Sequence, residues 1–401
     1  MLNTTHANPA LDVFEPDKHS RDSDWSGRYP RNDIISLLSV NQHYNLAEST
    51  SQDLHLGDLM DLIGTDALAS IRLGYGSVHG HEGLRETVAA LLGVSRDTVL
   101  TTAGTALALH LLATELCRPG DEVVLFTPCF PPARDTLTGA GVVVRDLPLK
   151  FEDGYAVDLD AFAAALSPDT RMVSLATPQN PSGVSTPHST VERMLGIMRA
   201  QAPKSKLFID ETYRFATYGD ARLPDSAADL GDEVITASSV SKAFGAPGLR
   251  VGWMTVADPG LRERLAVAKM NIVISGSPLD ETLAAHILDK REAILASRRK
   301  ILEDALETLS KWQRKEENRL EMVSPDGGAL CCLRLRPDLF GVEAVVDFWT
   351  GLKRHDLQLA PGSWFGESDR VFRLGFGYLP PDRLPAALQA ISDCMDEVSS
   401  C

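Results

Sequence analysis

Between about Thr101 and Thr236 the chain alternates short apolar runs with longer segments of helical spacing. Glu122–Phe126, Met172–Leu175, Lys206–Ile209 and Val234–Thr236 are rich in valine, isoleucine, leucine and phenylalanine. Aliphatic runs this short, with little polar alternation, suit strands buried on both faces. Ala106–Ala113 is apolar almost throughout and reads as a buried helix, and Thr190–Ala202 reads as a further helix. Strands alternating with helices predict an α/β fold, a mostly parallel sheet sandwiched by helices. Ligands of such sheets bind at the carboxyl ends of the strands.

The later part of the chain has another rhythm. Pro278–Trp312 is charged and, after Pro278, free of proline and glycine, which predicts one or two long helices. Strand-like Gly328–Leu335 and Val371–Phe376 follow, with a helix near Val342–Arg354 and a last helix from Pro381. These predict a smaller α+β domain. Residues 1–33 are polar and read as a loosely packed arm. The expected division is therefore an arm over 1–33, a large ligand-binding domain over 61–285, and a small domain built from 34–60 and 286–401.

Composition narrows the function. A length of 401 residues suggests two domains, and 44% hydrophobic with 23% charged residues is ordinary for a globular protein. The net charge of -16, from 39 basic and 55 acidic residues, argues against nucleic acid or an anionic membrane surface as partner. A few local donors still suffice for an anionic cofactor. The six cysteines form no C-x-x-C pair, which fits a reducing cytoplasm and no metal site. Met1–Arg31 has no apolar signal-like run, and no stretch of about 18 apolar residues occurs, so no membrane span is expected.

The densest chemistry lies in Ser239-Val240-Ser241-Lys242-Ala243-Phe244-Gly245-Ala246-Pro247-Gly248-Leu249-Arg250-Val251-Gly252. A lysine among small hydroxyl residues, with an arginine following and glycines around it, suits a Schiff base to an aldehyde cofactor that carries a phosphate. The segment resembles the lysine motif of the class I/II aminotransferases, pyridoxal 5′-phosphate enzymes of fold type I. That resemblance, which covers roughly residues 45–395, implies a Lys242 Schiff base, with Ser239 and the forked guanidinium of Arg250 on the phosphate.

Other segments match the family in its order. Thr101-Thr102-Ala103-Gly104-Thr105-Ala106 opens a helix whose free N–H groups suit a phosphate. It resembles the family's phosphate turn, which implies contacts from Gly104, Thr105 and Ala106. Phe130, in Pro128-Cys129-Phe130-Pro131, falls where the family stacks an aromatic ring on the cofactor. Asn180, in an Asn-Pro-x-Gly turn, falls where an amide meets the cofactor's phenolic oxygen and lies against the substrate. Asp210 ends an apolar strand, where a carboxylate is costly unless paired. The resemblance supplies the pairing, a protonated pyridine nitrogen, and it places Tyr213 on the same phenolic oxygen as Asn180. Arg373 falls at the position that grips the substrate's α-carboxylate. Tyr75, in Tyr75-Gly76-Ser77-Val78-His79-Gly80, falls where a tyrosine reaches the phosphate of a partner subunit, which implies a homodimer. The glycines and histidines of that segment do not read as dinucleotide or metal ligands, because no strand precedes the glycines and no second ligand set exists. His110, on the apolar helix, reads as a core histidine.

The sequence departs from many aminotransferases at Leu46-Ala47-Glu48-Ser49-Thr50, where they carry a glycine-rich turn. This run resembles the Leu-Ala-Glu of the aminocyclopropane-carboxylate synthases, which eliminate at Cγ. It makes Glu48 a candidate second acid/base near the substrate. No arginine lies between Lys269 and Lys290, which argues against a dicarboxylic substrate. The expectation is transamination from a small L-amino acid to a 2-keto acid, with Lys242, Tyr213 and Asp210 catalytic. The alternative is a β- or γ-elimination lyase or cyclase, including the arginine-cyclising type. A non-catalytic regulator of this fold would add a basic helix-turn-helix, which these residues do not show.

Overall fold

A computed structural model describes residues 27–30, 34, 36, 37 and 42–399, so most of the arm expected over 1–33 lies outside the described residues. The strands are β1 Tyr44–Asn45, β2 Val99–Thr102, β3 Glu122–Thr127, β4 Val143–Pro148, β5 Thr170–Ala176, β6 Lys206–Asp210 and β7 Val234–Ser239. They continue with β8 Gly252–Val256, β9 Leu320–Val323, β10 Leu330–Leu335, β11 Leu357–Gln358, β12 Ala360–Pro361 and β13 Val371–Gly375.

Seven of them form one sheet in the order β2-β8-β7-β6-β5-β3-β4. All its pairings are parallel except those of β8, which runs antiparallel to β2 and β7. Period-2 alternation sorts the strand residues between two helical layers. Leu207 and Ile209 of β6 face a core with Val191, Met194 and Met198 of helix His188–Gln201. Phe208 faces the other core, with Leu109 and Leu112 of helix Gly104–Glu115 and Leu261 and Leu265 of helix Pro259–Val273. The strand β4 lies at the edge and exposes most of its length, including Arg145 and Asp146, a pattern that protects an open edge.

The second sheet is antiparallel throughout, in the order β12-β13-β10-β9. It packs against helices Pro278–Asp289, Arg291–Lys315 and Leu384–Ser399. The long charged segment thus becomes two consecutive helices, as its sequence predicts. Among the described residues no helix is long and apolar enough to cross a membrane, and no group of three or more His, Cys, Asp or Glu could hold a metal ion.

One extended segment joins the two sheets. The backbone N–H of Gly375 on β13 donates to Leu46 O at 2.7 Å. On the other side Leu54 N donates to Gly245 O at 2.6 Å, and Ser51 N donates to Lys242 O at 3.4 Å. Gly375 is required here, because a Cβ at that position would overlap the carbonyl of Glu48. Residues 46–54 are thereby fixed between β13 and the loop after β7.

His110 corrects its sequence reading. It is only half-buried, and its Nδ1 lies 3.3 Å from the hydroxyl of Tyr29. The helix is apolar, but this position turns toward its outer edge.

Candidate active site

The carboxyl ends of β5, β6 and β7 lie side by side, with Ala176 opposite Asp210 and Asp210 opposite Ala237. Most of the singled-out residues leave these ends. Lys242 follows β7, and its Nζ donates to Ser49 Oγ at 3.1 Å. Tyr213 donates its hydroxyl proton to the same oxygen, also at 3.1 Å. Glu48 Oε1 stands 3.7 Å from Lys242 Nζ and accepts from Ser49 N at 2.9 Å. The Glu48 side chain is 23% exposed, so it faces this cluster rather than open solvent.

Asp210 accepts from Thr212 N at 2.9 Å and from the Thr212 hydroxyl. Desolvation pushes its carboxyl above the ordinary value, while Thr212 and the charge of Lys242 pull it back. Phe130 begins helix Pro131–Gly139. Together with Asn180 and Asp210 it walls a cavity of about 30 Å³.

Arg373 is 1% exposed in the middle of β13. It donates from Nη1 to Asn180 Oδ1 at 2.8 Å and from Nη2 to Ala47 O at 2.6 Å, and it lies 4.7 Å over the ring of Phe365. Its buried Nε has no hydrogen-bond partner among the described residues. Burial lowers its pKa from the usual arginine value, and Tyr213 and Glu48 oppose that shift.

A second group lies at the start of helix Gly104–Glu115, where Thr105 and Ala106 form the first turn. Gly104 has φ +68, and a Cβ there would stand 2.7 Å from Arg250 Nη2. The missing side chain lets the arginine lie against the turn. Arg250 is itself left-handed, with φ 53, and donates from Nη1 to Pro247 O. Ser239 is buried at the end of β7 and accepts from Ser241 N at 3.3 Å. Behind the turn, Thr101 donates to Glu281 Oε1 at 2.5 Å and accepts from Lys269 at 3.1 Å. Glu281 also accepts from His81 N at 2.7 Å. This buried cluster, absent from the sequence reading, ties the turn to the segment that carries Tyr75.

One singled-out residue stands apart, and one that was not singled out stands at the centre. Tyr75 is 88% exposed and makes none of the contacts above. Ser49, which the motif comparison passed over, is 3% exposed and joins Lys242 to Tyr213. Its only sequence signal was its place beside Glu48 in the run that departs from the glycine-rich turn.

Residues 41–391 match the family model described as aminotransferase class I and II. A capreomycidine synthase of Streptomyces vinaceus is 33% identical over 335 residues, 83% of each chain. An arginine–pyruvate transaminase of Pseudomonas aeruginosa is 27% identical over 345 residues, 83% of this chain and 85% of that one. Among solved structures, a PLP-dependent aminotransferase from Streptococcus suis superposes with a TM-score of 0.83 at 25% identity, covering 92% of this chain and 99% of that one.

Proposed function

The chain belongs to the class I and II aminotransferases, which are pyridoxal 5′-phosphate enzymes of fold type I, and on that premise we propose that it acts at Cβ or Cγ of an amino acid with a cationic side chain, as a lyase or cyclase. The observation that carries this reading is the Glu48 carboxylate, 3.7 Å from Lys242 Nζ. Transamination moves one proton between Cα and the cofactor and needs one acid/base, the lysine. A second, partly desolvated carboxylate beside that lysine has no task in it. Elimination or ring closure has a task for it, protonating a leaving group or taking a proton from the side-chain nucleophile.

The residues fit the cofactor. The Gly104 turn forms a cradle that a Cβ would fill against Arg250. Asp210 is a desolvated carboxylate at a strand end, suited to a cationic ring nitrogen. In this reading Gly104, Thr105, Ala106, Ser239 and Arg250 hold the phosphate, Phe130 covers the ring, and Asn180 and Tyr213 meet its phenolic oxygen. When bound, the cofactor supplies an electron sink for the bond broken at Cα. Lys242 takes the Cα proton, Arg373 grips the α-carboxylate, and Glu48 works farther along the side chain. The seven-stranded sheet supports 61–285 as the cofactor domain, and pairing of β1 with β11 supports joining 34–60 to 286–401.

The cationic substrate rests on the same carboxylate. Desolvation raises the Tyr378 hydroxyl pKa, and the charges of Asp53 and Glu48 add to that, so this wall is acidic. Lys269–Lys290 offers no arginine for a distal carboxylate. The relative named for an arginine reaction agrees with this choice. The test feeds the holoenzyme basic amino acids and their β-hydroxylated forms without any keto acid. Products with a lost side-chain group or a new ring are expected, and Glu48→Gln should slow them about a hundredfold or more. Stoichiometric keto acid, with turnover only when a second keto acid is supplied, would instead establish the aminotransferase reading, and a panel of small L-amino acids would then identify the donor.

We also propose a homodimer in which Tyr75 serves the partner's site. Leu73 is 84% exposed beside it, and Gly76 packs against Gly276 and Pro278. Met270, Ile272, Val273 and Ile274 are exposed just before that turn. An apolar surface of this kind is expected to be covered by another chain. Sedimentation should show a dimer, and Ile274→Asp should shift it toward monomer with loss of activity. Mixing Tyr75→Phe with Lys242→Ala subunits should form hybrids with one intact site, whereas a fully active monomer would contradict the proposal.

A further inference from the structure

We infer that Ser49 is a positioning residue that holds the Lys242 amine in both of its protonation states during proton transfer at Cα. A hydroxyl carries one proton and two acceptor lone pairs. Ser49 Oγ accepts from Tyr213 and from Lys242, each at 3.1 Å. When Lys242 is an ammonium it donates to that oxygen. When it is a free amine, rotation of the Ser49 hydroxyl offers its proton to the nitrogen lone pair. A carboxylate, such as Glu48 offers at 3.7 Å, has no proton to give a free amine and can only accept from the ammonium. A base must be neutral to take the Cα proton and is charged afterwards, so a carboxylate alone would hold it in only one half of the step.

The surroundings make the hydroxyl a fixed point. Ser49 is 3% exposed, and its own N–H is committed to Glu48 Oε1 at 2.9 Å. The flanking backbone is pinned to β13 by Gly375 N on Leu46 O and to the Lys242 loop by Ser51 N on Lys242 O. Tyr213, which donates to Ser49, approaches from the loop after β6. Three segments far apart in the chain thus fix one oxygen against the lysine, which is preorganisation of the reacting group.

This inference rests on Lys242 being the cofactor lysine, and it does not depend on which bond beyond Cα breaks. The test is exchange of the substrate's Cα proton for deuterium in D₂O, followed by NMR on the holoenzyme, because both lyase and transaminase chemistry pass through that proton transfer. Ser49→Ala should slow exchange about 10- to 100-fold, in line with the cost of a misplaced reacting group. The substrate concentration for half-maximal exchange and the cofactor affinity should stay within about threefold. A second readout needs no turnover. In the cofactor-free chain the ¹³Cε resonance of Lys242, assigned by its loss in Lys242→Ala, should move in Ser49→Ala and stay in place in the distant Ser310→Ala. An unmoved resonance, or exchange within threefold of wild type, overturns the inference. Normal slowing together with keto-acid products would leave it standing and overturn only the lyase or cyclase reading.

Discussion

Lys242→Ala is expected to reduce turnover by about 10⁴-fold or more, because the substitution removes both the covalent anchor and the acid/base at Cα. Pyridoxal phosphate should still bind. The Gly104 turn, Arg250 and Asp210 are untouched by the change, and they supply the phosphate and ring contacts. The wild-type protein should be yellow, and borohydride reduction followed by peptide mapping should place the pyridoxyl mass on Lys242. The variant should bind the cofactor without acquiring that mass. A label on another lysine, or none after reconstitution, would remove the premise on which every assignment around Lys242 rests. Lys269 is a specific competitor worth mapping. It is buried, and its pKa is lowered to about 8, chiefly by desolvation, a shift that favours reactive amines. It donates to Thr101, behind the phosphate turn, so the geometry favours Lys242.

Several residues proposed to meet the cofactor stand out in the sequence because they sit at a strand end or helix start, where local sequence is distinctive. Asp210 closes the apolar run Leu207-Phe208-Ile209, and Gly104 opens a helix after β2. The central strands were legible for a related reason. Burial on both faces demands aliphatic runs, and that demand is local. The edge strand β4 escaped detection because it is mostly exposed and carries Arg145 and Asp146. The strand β8 also escaped, although it is buried throughout, and its antiparallel direction is not something a burial pattern reports. Ser49 shows a deeper limit. It lies 164 residues from Tyr213 and 193 from Lys242 in the chain, and nothing near it in sequence marks their meeting. Gly375 was equally silent. Its lack of a side chain matters only because the backbone of Glu48 crosses it. His110 misled in the opposite sense, since an apolar stretch does not say which positions reach the rim of a helix.

Arg373 carries the other large expectation. Arg373→Ala should weaken amino-acid binding by about 2–5 kcal/mol, the usual cost of removing one partner from a desolvated charge pair. That corresponds to roughly 30- to 4,000-fold at about 1.4 kcal/mol per tenfold. The guanidinium already spends Nη1 on Asn180 and Nη2 on the Ala47 carbonyl, which leaves its buried Nε without a partner among the described residues. A substrate carboxylate would complete it. Alanine would also strand the oxygens of Asn180 and Ala47, so lost affinity alone could reflect a disturbed site. Arg373→Lys separates the two effects. It keeps the charge and loses the fork and the stacking on Phe365, and lysine does not replace arginine at such sites. Its substrate affinity should fall at least about tenfold, while pyridoxal phosphate affinity stays near wild type in both variants. Isothermal titration of the amino acid and of the cofactor, done separately, reads the two quantities. If amino-acid affinity survives in both variants, the carboxylate is held by another cation, and the acidic wall at Glu48 must then be assigned to a different part of the substrate.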